Sequence, residues 1–183
     1  MTERIILGID PGTKIMGYGL IRAVGKKAEL IDMGVFNFDR LKDPYLKLES
    51  IFKSTVDLID KHHPDELAIE APFYGKNVQS MLKLGRAQGV AISAALSRQL
   101  PIFEYAPRKI KQSITGMGAA SKEQVAAFLQ NMLGFKEKPK NLDATDGLAA
   151  AVCHFYQKVD VSKGRSYSGW DDFLKKNPSR IKE

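Results

Sequence analysis

IILGIDPGTKIMGYGLI, residues 5–21, opens on five residues of which four are apolar and one is glycine, closes that run on Asp10, and turns at once through Pro11-Gly12. A near-continuous apolar run of this length fits a strand buried on both faces. Side chains alternate along a strand, so Ile5, Leu7 and Ile9 take one face and Ile6, Gly8 and Asp10 the other. The run therefore delivers a carboxylate to the end of a buried strand, where burial disfavours a charge unless something compensates it.

Working outward, the sequence predicts further strands over 18–23 and 29–38, joined by turns short enough to favour antiparallel pairing. Leu48, Ile51, Phe52, Thr55 and Ile59 recur at helical spacing, which predicts an amphipathic helix over 45–63 stopped by Pro64. His62 and His63 read as cations at its C-terminus. A short strand over 67–70 ends on Glu70, and Pro72 breaks it as Pro11 breaks the first. A long helix with a small-residue surface follows over 78–100, then a strand over 101–105. Ser121 and Gln124 form a capping box for a helix running to Leu133. Residues 143–156 form the last core helix, which carries His154. The expected fold is α/β, a mixed sheet flanked by helices, with no internal repeat. The globular part is expected over residues 1–157, and 158–183 is expected to be a basic tail, mobile or docked on a partner.

The chain has 183 residues and a net charge of +7, enough for one domain and a short appendage. Residues 76–140 carry eleven Lys and Arg against three Asp and Glu, whereas residues 1–75 carry ten against twelve. A basic middle segment bounded by acidic ones favours a polyanionic partner, most simply nucleic acid. The single cysteine, Cys153, excludes an internal disulfide and fits a reducing compartment. Asp10 interrupts the N-terminus too early for a signal peptide, and no apolar run spans a bilayer, so a cytoplasmic location is expected.

If strands 5–10 and 67–70 are parallel neighbours, Asp10 and Glu70 emerge side by side at the edge where ligands bind such sheets. In NLDATDGLAAAV, Asp143 and Asp146 lie three residues apart and share one helix face, and Gly147 with the following alanines lets that helix lie close to a sheet. Four convergent carboxylates repel unless a hard divalent cation is held among them, as in two-metal phosphoryl chemistry. Each acid also has a local reading. Asp10 could stabilise its turn, Glu70 could pair with a lysine, Asp143 could be a helix N-cap and Asp146 could favour the first helical turn. Lys122 would open a helix, where the dipole disfavours a cation, which suggests an external anion; the alternative is an ordinary exposed lysine. Lys111 follows Arg108 and Lys109 in a short helix or loop, and Phe73-Tyr74 lies in a loop between Pro72 and Gly75, next to Lys76.

ILGIDPGTKIMGYGLI, AIEAPFYGKNVQSMLKLGRAQGVAI, PIFEYAPRKIKQSITGMGAASKEQV and DATDGLAAA, in that order and spacing, resemble the RuvC-type Holliday-junction resolvases of bacteria over roughly residues 4–156. The resemblance implies an RNase H-like fold with a five-stranded mixed sheet, a homodimer, and Mg²⁺-dependent cleavage of four-way DNA junctions, with two Mg²⁺ per site and Mn²⁺ able to substitute. It implies that Asp10, Glu70, Asp143 and Asp146 are the catalytic metal ligands. Lys111 and Lys122 become basic residues near the site, and Phe73 an aromatic placed near the junction centre. Lys76 and Arg108 belong to the same expected DNA surface, and a branch-migration complex of RuvA and RuvB type is the implied partner. Three rivals share parts of the pattern: a sugar-kinase or actin-like ATPase phosphate loop, a related nuclease acting on structured RNA, and an inactive junction-binding module.

Overall fold

The computed structural model describes residues 3–72, 77–136 and 141–157. Three strands come first, β1 (Glu3–Asp10), β2 (Ile15–Val24) and β3 (Lys27–Asn37), followed by helix α1 (Pro44–His62), strand β4 (Glu66–Glu70) and helix α2 (Val78–Ser97). Strand β5 (Ile102–Tyr105) and helices α3 (Pro107–Thr115), α4 (Lys122–Leu133) and α5 (Asp143–Tyr156) complete the fold. The sheet order is β3-β2-β1-β4-β5. The first three strands pair antiparallel, while β4 runs parallel to both β1 and β5. This is the mixed five-stranded α/β architecture that the family resemblance implies.

The alternation along β1 divides the core as the sequence predicts. Leu7 and Ile9 pack with Leu67, Ile69, Ile51, Ile59, Ala87 and Ala91, so α1 and α2 cover that face. Ile6 and Ala68 pack with Leu148, Ala150 and Ala151 of α5 and with Val125 and Leu129 of α4 on the other. The register Ile9↔Ile69 leaves Asp10 and Glu70 as the next positions, both on the α5 face.

Local chemistry fixes the helix ends. Asp43 Oδ1 accepts from the Tyr45 and Leu46 amides, Pro44 takes the first turn of α1, and His63 closes it with φ 46°. The Ser121–Gln124 capping box of α4 is present in both directions. Several boundaries shift by one to three residues from the sequence reading, and two differences at helix ends have a local cause. Helix α2 stops at Ser97 because Gln99 adopts a left-handed φ of 56° ahead of Pro101. The N-cap of α5 is Leu142 rather than Asp143, and Asn141 Oδ1 accepts from the Asp143 amide at 2.9 Å, leaving both aspartates inside the first turn.

Glycines let α5 lie against the sheet at backbone distance. A Cβ on Gly147 would stand 2.5 Å from Tyr18 Cα, and one on Gly17 would stand 1.8 Å from the Asp143 carbonyl oxygen. Both obstructions are backbone, which cannot rotate aside. The tail 158–183 and the Phe73–Lys76 loop lie outside the described residues.

Gly147→Ala should therefore destabilise the protein by about 1–3 kcal/mol through overpacking, although alanine is the better helix former by about 1 kcal/mol. Urea denaturation reads the difference, and an unchanged midpoint would show that α5 can lift from the sheet without cost.

Candidate metal-binding active site

Three elements separated in sequence bring the acids together. Asp10 ends β1, Glu70 ends the parallel neighbour β4, and Asp143 and Asp146 occupy the first turn of α5. One carboxylate oxygen from each of Asp10, Asp143 and Asp146 lies within 4.8 Å of the others. Glu70 stands outside that triad but shares with Asp10 and Asp146 a cavity of about 270 Å³, which Lys111 and Lys122 also line. Val125, Ile110 and Ala149 supply an apolar wall.

Burial and crowding of like charge set the protonation of these groups. Asp10 is pushed up to about 7, first by burial and then by the Asp146 charge. Glu70 is pushed up to about 8 by burial, then by Asp10 and Asp146. Burial also raises Asp146, against the hydrogen bond from Lys122. The Lys122 ammonium donates to Asp143 Oδ1 at 3.0 Å and to Asp146 Oδ2. Burial alone would depress Lys122, but those two bonds outweigh it and hold the ammonium above the ordinary lysine range. The anion that retains a cation at this helix start is thus internal, a carboxylate pair.

The donor set suits a hard divalent cation: oxygen ligands only, converging from a rigid sheet end and a rigid helix start, with more negative charge than one lysine can balance. The residues therefore fit the metal that the sequence pattern implies. Lys111 faces the same cavity, on α3. Arg108 does not line it; this residue is exposed, with its stem running past Gly118. Phe73 and Lys76 lie outside the described residues.

Two supports beneath the site were not read from the sequence. Gln88 Nε2 of α2 donates to Glu104 Oε2 at 2.7 Å and reaches the Glu70 carbonyl at 3.4 Å, bracing the end of β4. Fully buried His154 bridges Glu66 Oε2 at 2.9 Å and the Tyr105 hydroxyl at 2.6 Å, and Glu66 in turn pairs with Arg4 at 3.0 Å. Burial lowers the His154 pKa against the pull of Glu66, and burial pushes Tyr105 up to about 12. The signal was present in β4, where Glu66, Ala68 and Glu70 alternate onto one face, but starting that strand at residue 67 hides it.

A family profile described as "Crossover junction endodeoxyribonuclease RuvC" matches residues 6–154. The chain is 63% identical over 181 residues to the crossover junction endodeoxyribonuclease RuvC of Christiangramia forsetii, covering 99% of this chain and 94% of that one. It is 60% identical over 182 residues to the Bacteroides fragilis protein of the same name, covering 98% and 97%. Among solved structures, Thermus thermophilus RuvC in complex with Holliday junction substrate superposes with a TM-score of 0.76 at 30% identity, covering 82% of this chain and 92% of that one. The yeast mitochondrial Holliday junction resolvase Ydc2 shares the fold at a TM-score of 0.61 and 16% identity, covering 82% and 77%.

The raised acids carry a pH signature. Because Asp10 and Glu70 hold protons in the metal-free fold up to about 7 and 8, the folded state binds more protons than the unfolded chain from about pH 4 upward. Their stabilising contribution is complete below that range and is lost as pH rises through 7 to 8. Metal-free Tm should fall between pH 5 and pH 8, and added Mg²⁺ should raise Tm more at pH 8 than at pH 5. Calorimetry with and without chelator checks this; an equal Mg²⁺ effect at both pH values would separate metal binding from these acids.

Proposed function

The chain belongs to the crossover junction endodeoxyribonuclease RuvC family, and from that premise we propose that it resolves four-way DNA junctions in recombination and repair by paired symmetric nicks, using Asp10, Glu70, Asp143 and Asp146 as its metal ligands. The observation that carries this assignment is the convergence of carboxylates from β1, β4 and α5 on one cavity whose other charged walls are Lys111 and Lys122. A divalent cation of the Mg²⁺ class, two per site and replaceable by Mn²⁺, would lower the pKa of a hydrolytic water and neutralise the leaving 3′ oxygen, giving 5′-phosphate and 3′-hydroxyl ends.

The chain's own residues supply position and charge. The ends of β1 and β4 fix Asp10 and Glu70 on one face, so the scissile phosphate is held at the rim of the sheet rather than over its middle. The first turn of α5 presents Asp143 and Asp146 from the opposite wall. Lys122, which donates to the aspartate pair, and Lys111 both line the cavity, where their ammonium groups would offer positive charge to an incoming phosphate. Arg108, outside the cavity, contacts backbone farther from the cut, and the family resemblance assigns Lys76 to the DNA surface and Phe73 to the junction centre.

Paired cuts need two sites, and α2 supports a homodimer. Its outward stripe carries exposed Val78, Leu82 and Leu96, with Gly85 and Gly89 between them meeting nothing within 4 Å. A two-fold pairing through this stripe matches the near two-fold symmetry of a four-way junction. The nuclease unit is residues 1–157, with 158–183 appended as a basic tail. Among the described residues no helix is long and apolar enough to cross a membrane. Cytoplasmic action beside a branch-migration complex of RuvA and RuvB type completes the assignment.

Asp10→Asn should bind a synthetic mobile junction like the parent protein and lose cleavage by at least about 100-fold, since it removes a ligand from a site worth many orders of magnitude in rate. Gel-shift without metal and product mapping with Mg²⁺ measure the two halves. Full cleavage by this variant would take Asp10 out of the mechanism.

A further inference from the structure

A second cavity, of about 520 Å³, opens at the same end of the sheet as the acidic site but on the face covered by α1 and α2. It lies between the β1–β2 turn, the start of α1 and the first turns of α2. Lys14, Lys42, Lys47, Lys83 and Arg86 line it, exposed Tyr45 forms part of its wall, and among the described residues no carboxylate does. Its five cationic side chains form no ion pair among the described residues. Asp43, the acid nearest in sequence, is turned away to cap α1.

Five uncompensated cations around one concavity repel one another, and the arrangement is relieved by a polyanion of matching extent. The cavity cannot hold a metal, because it offers no anionic ligand. Gly12 in its lining lies two residues past Asp10, a backbone span of at most about 7 Å between one lining residue of each cavity.

We propose that this cavity is a second DNA-backbone site, which seats the sugar–phosphate chain flanking the scissile phosphate, with Tyr45 offering an aromatic face to the strand. This rests on the nuclease reading of the acidic site and extends it to a surface built largely from the net-acidic first segment of the chain. Lys14, Lys42 and Lys47 come from that segment, and the fold gathers them with Lys83 and Arg86 from the basic one.

The experiment compares Lys42→Gln/Lys83→Gln with a control of equal charge loss, Lys26→Gln/Lys27→Gln, at the β2–β3 turn and the start of β3, at the opposite end of the sheet. Junction affinity of the full chain is measured without divalent metal from 50 to 200 mM salt. Each phosphate contact contributes about 0.9 to the slope of log affinity against log salt. The cavity pair should therefore flatten that slope by about two and shrink the affinity loss over this range about tenfold. The control should retain the parent slope. A phosphate-ethylation interference map should lose its signal beside the scissile phosphate only in the cavity pair. If the parent binds and cuts junctions while the cavity pair behaves like the parent or like the control, the cavity assignment is overturned and the nuclease reading stands. If the parent neither binds nor cuts junctions, the nuclease reading is overturned and this assignment goes with it.

Discussion

The site depends on one close contact, the seating of α5 on β1 and β2 at backbone distance. Gly8, Gly17 and Gly147 clear the interface, and a Cβ on Gly8 would stand 2.1 Å from the Gly147 carbonyl oxygen. The clearance is tightest where it matters, because the backbone facing Gly17 is that of Asp143. A side chain there would lift the start of the helix and carry Asp143 and Asp146 away from Asp10. The Ala149–Ala151 run continues the contact along the helix with side chains just large enough to fill it. Packing that is usually a matter of stability here sets the separation of carboxylates on different elements.

Gathering acids in this way has an electrostatic cost that the fold answers in more than one way. Lys122 places one positive charge between Asp143 and Asp146. Burial, and after it the remaining like charge, keeps Asp10 and Glu70 protonated well above the ordinary carboxylate range. Proton and ammonium thus share one region of negative potential, and a divalent cation held there would compete with both, since these oxygen donors suit it. The placement of Lys122 at the first residue of α4, unfavourable for the helix taken alone, makes sense in this balance.

Much of this is legible in the sequence because it is local. Two-residue alternation puts Ile6, Gly8 and Asp10 on one side of β1, and D-x-x-D before a small-residue run announces a helix that packs closely with two acids on one face. The Ser121–Gln124 capping box places the start of α4. What escapes is set by the tertiary fold. Nothing around Lys122 says that its partner lies twenty-odd residues downstream, and nothing around Glu66 says that His154 and Arg4 close over it. Charge counted along the chain also misleads. The first 75 residues are net acidic, yet three of their lysines meet at one cavity, because α1 and the β1–β2 turn converge at the same sheet end. Sequence windows average over faces that the fold separates.

Helix α2 ties these features into one mechanical unit. Ala87, Ala91 and Ala95 bury its inner face on the sheet, while Gly85 and Gly89 meet nothing within 4 Å on its outer face. Its first turns carry Lys83 and Arg86 to the basic cavity, and Gln88 braces the end of β4 where Glu70 stands. The exposed small-residue stripe proposed for dimerisation and the support of the Glu70 strand end thus sit on adjacent residues of one rigid helix. In a two-fold dimer built on that helix, the spacing of the two acidic sites follows from helix packing and not from any flexible connection. Two cuts made at related points on a symmetric substrate require that kind of fixed separation, since a shift of even one ångström at either site degrades alignment of the reacting phosphate.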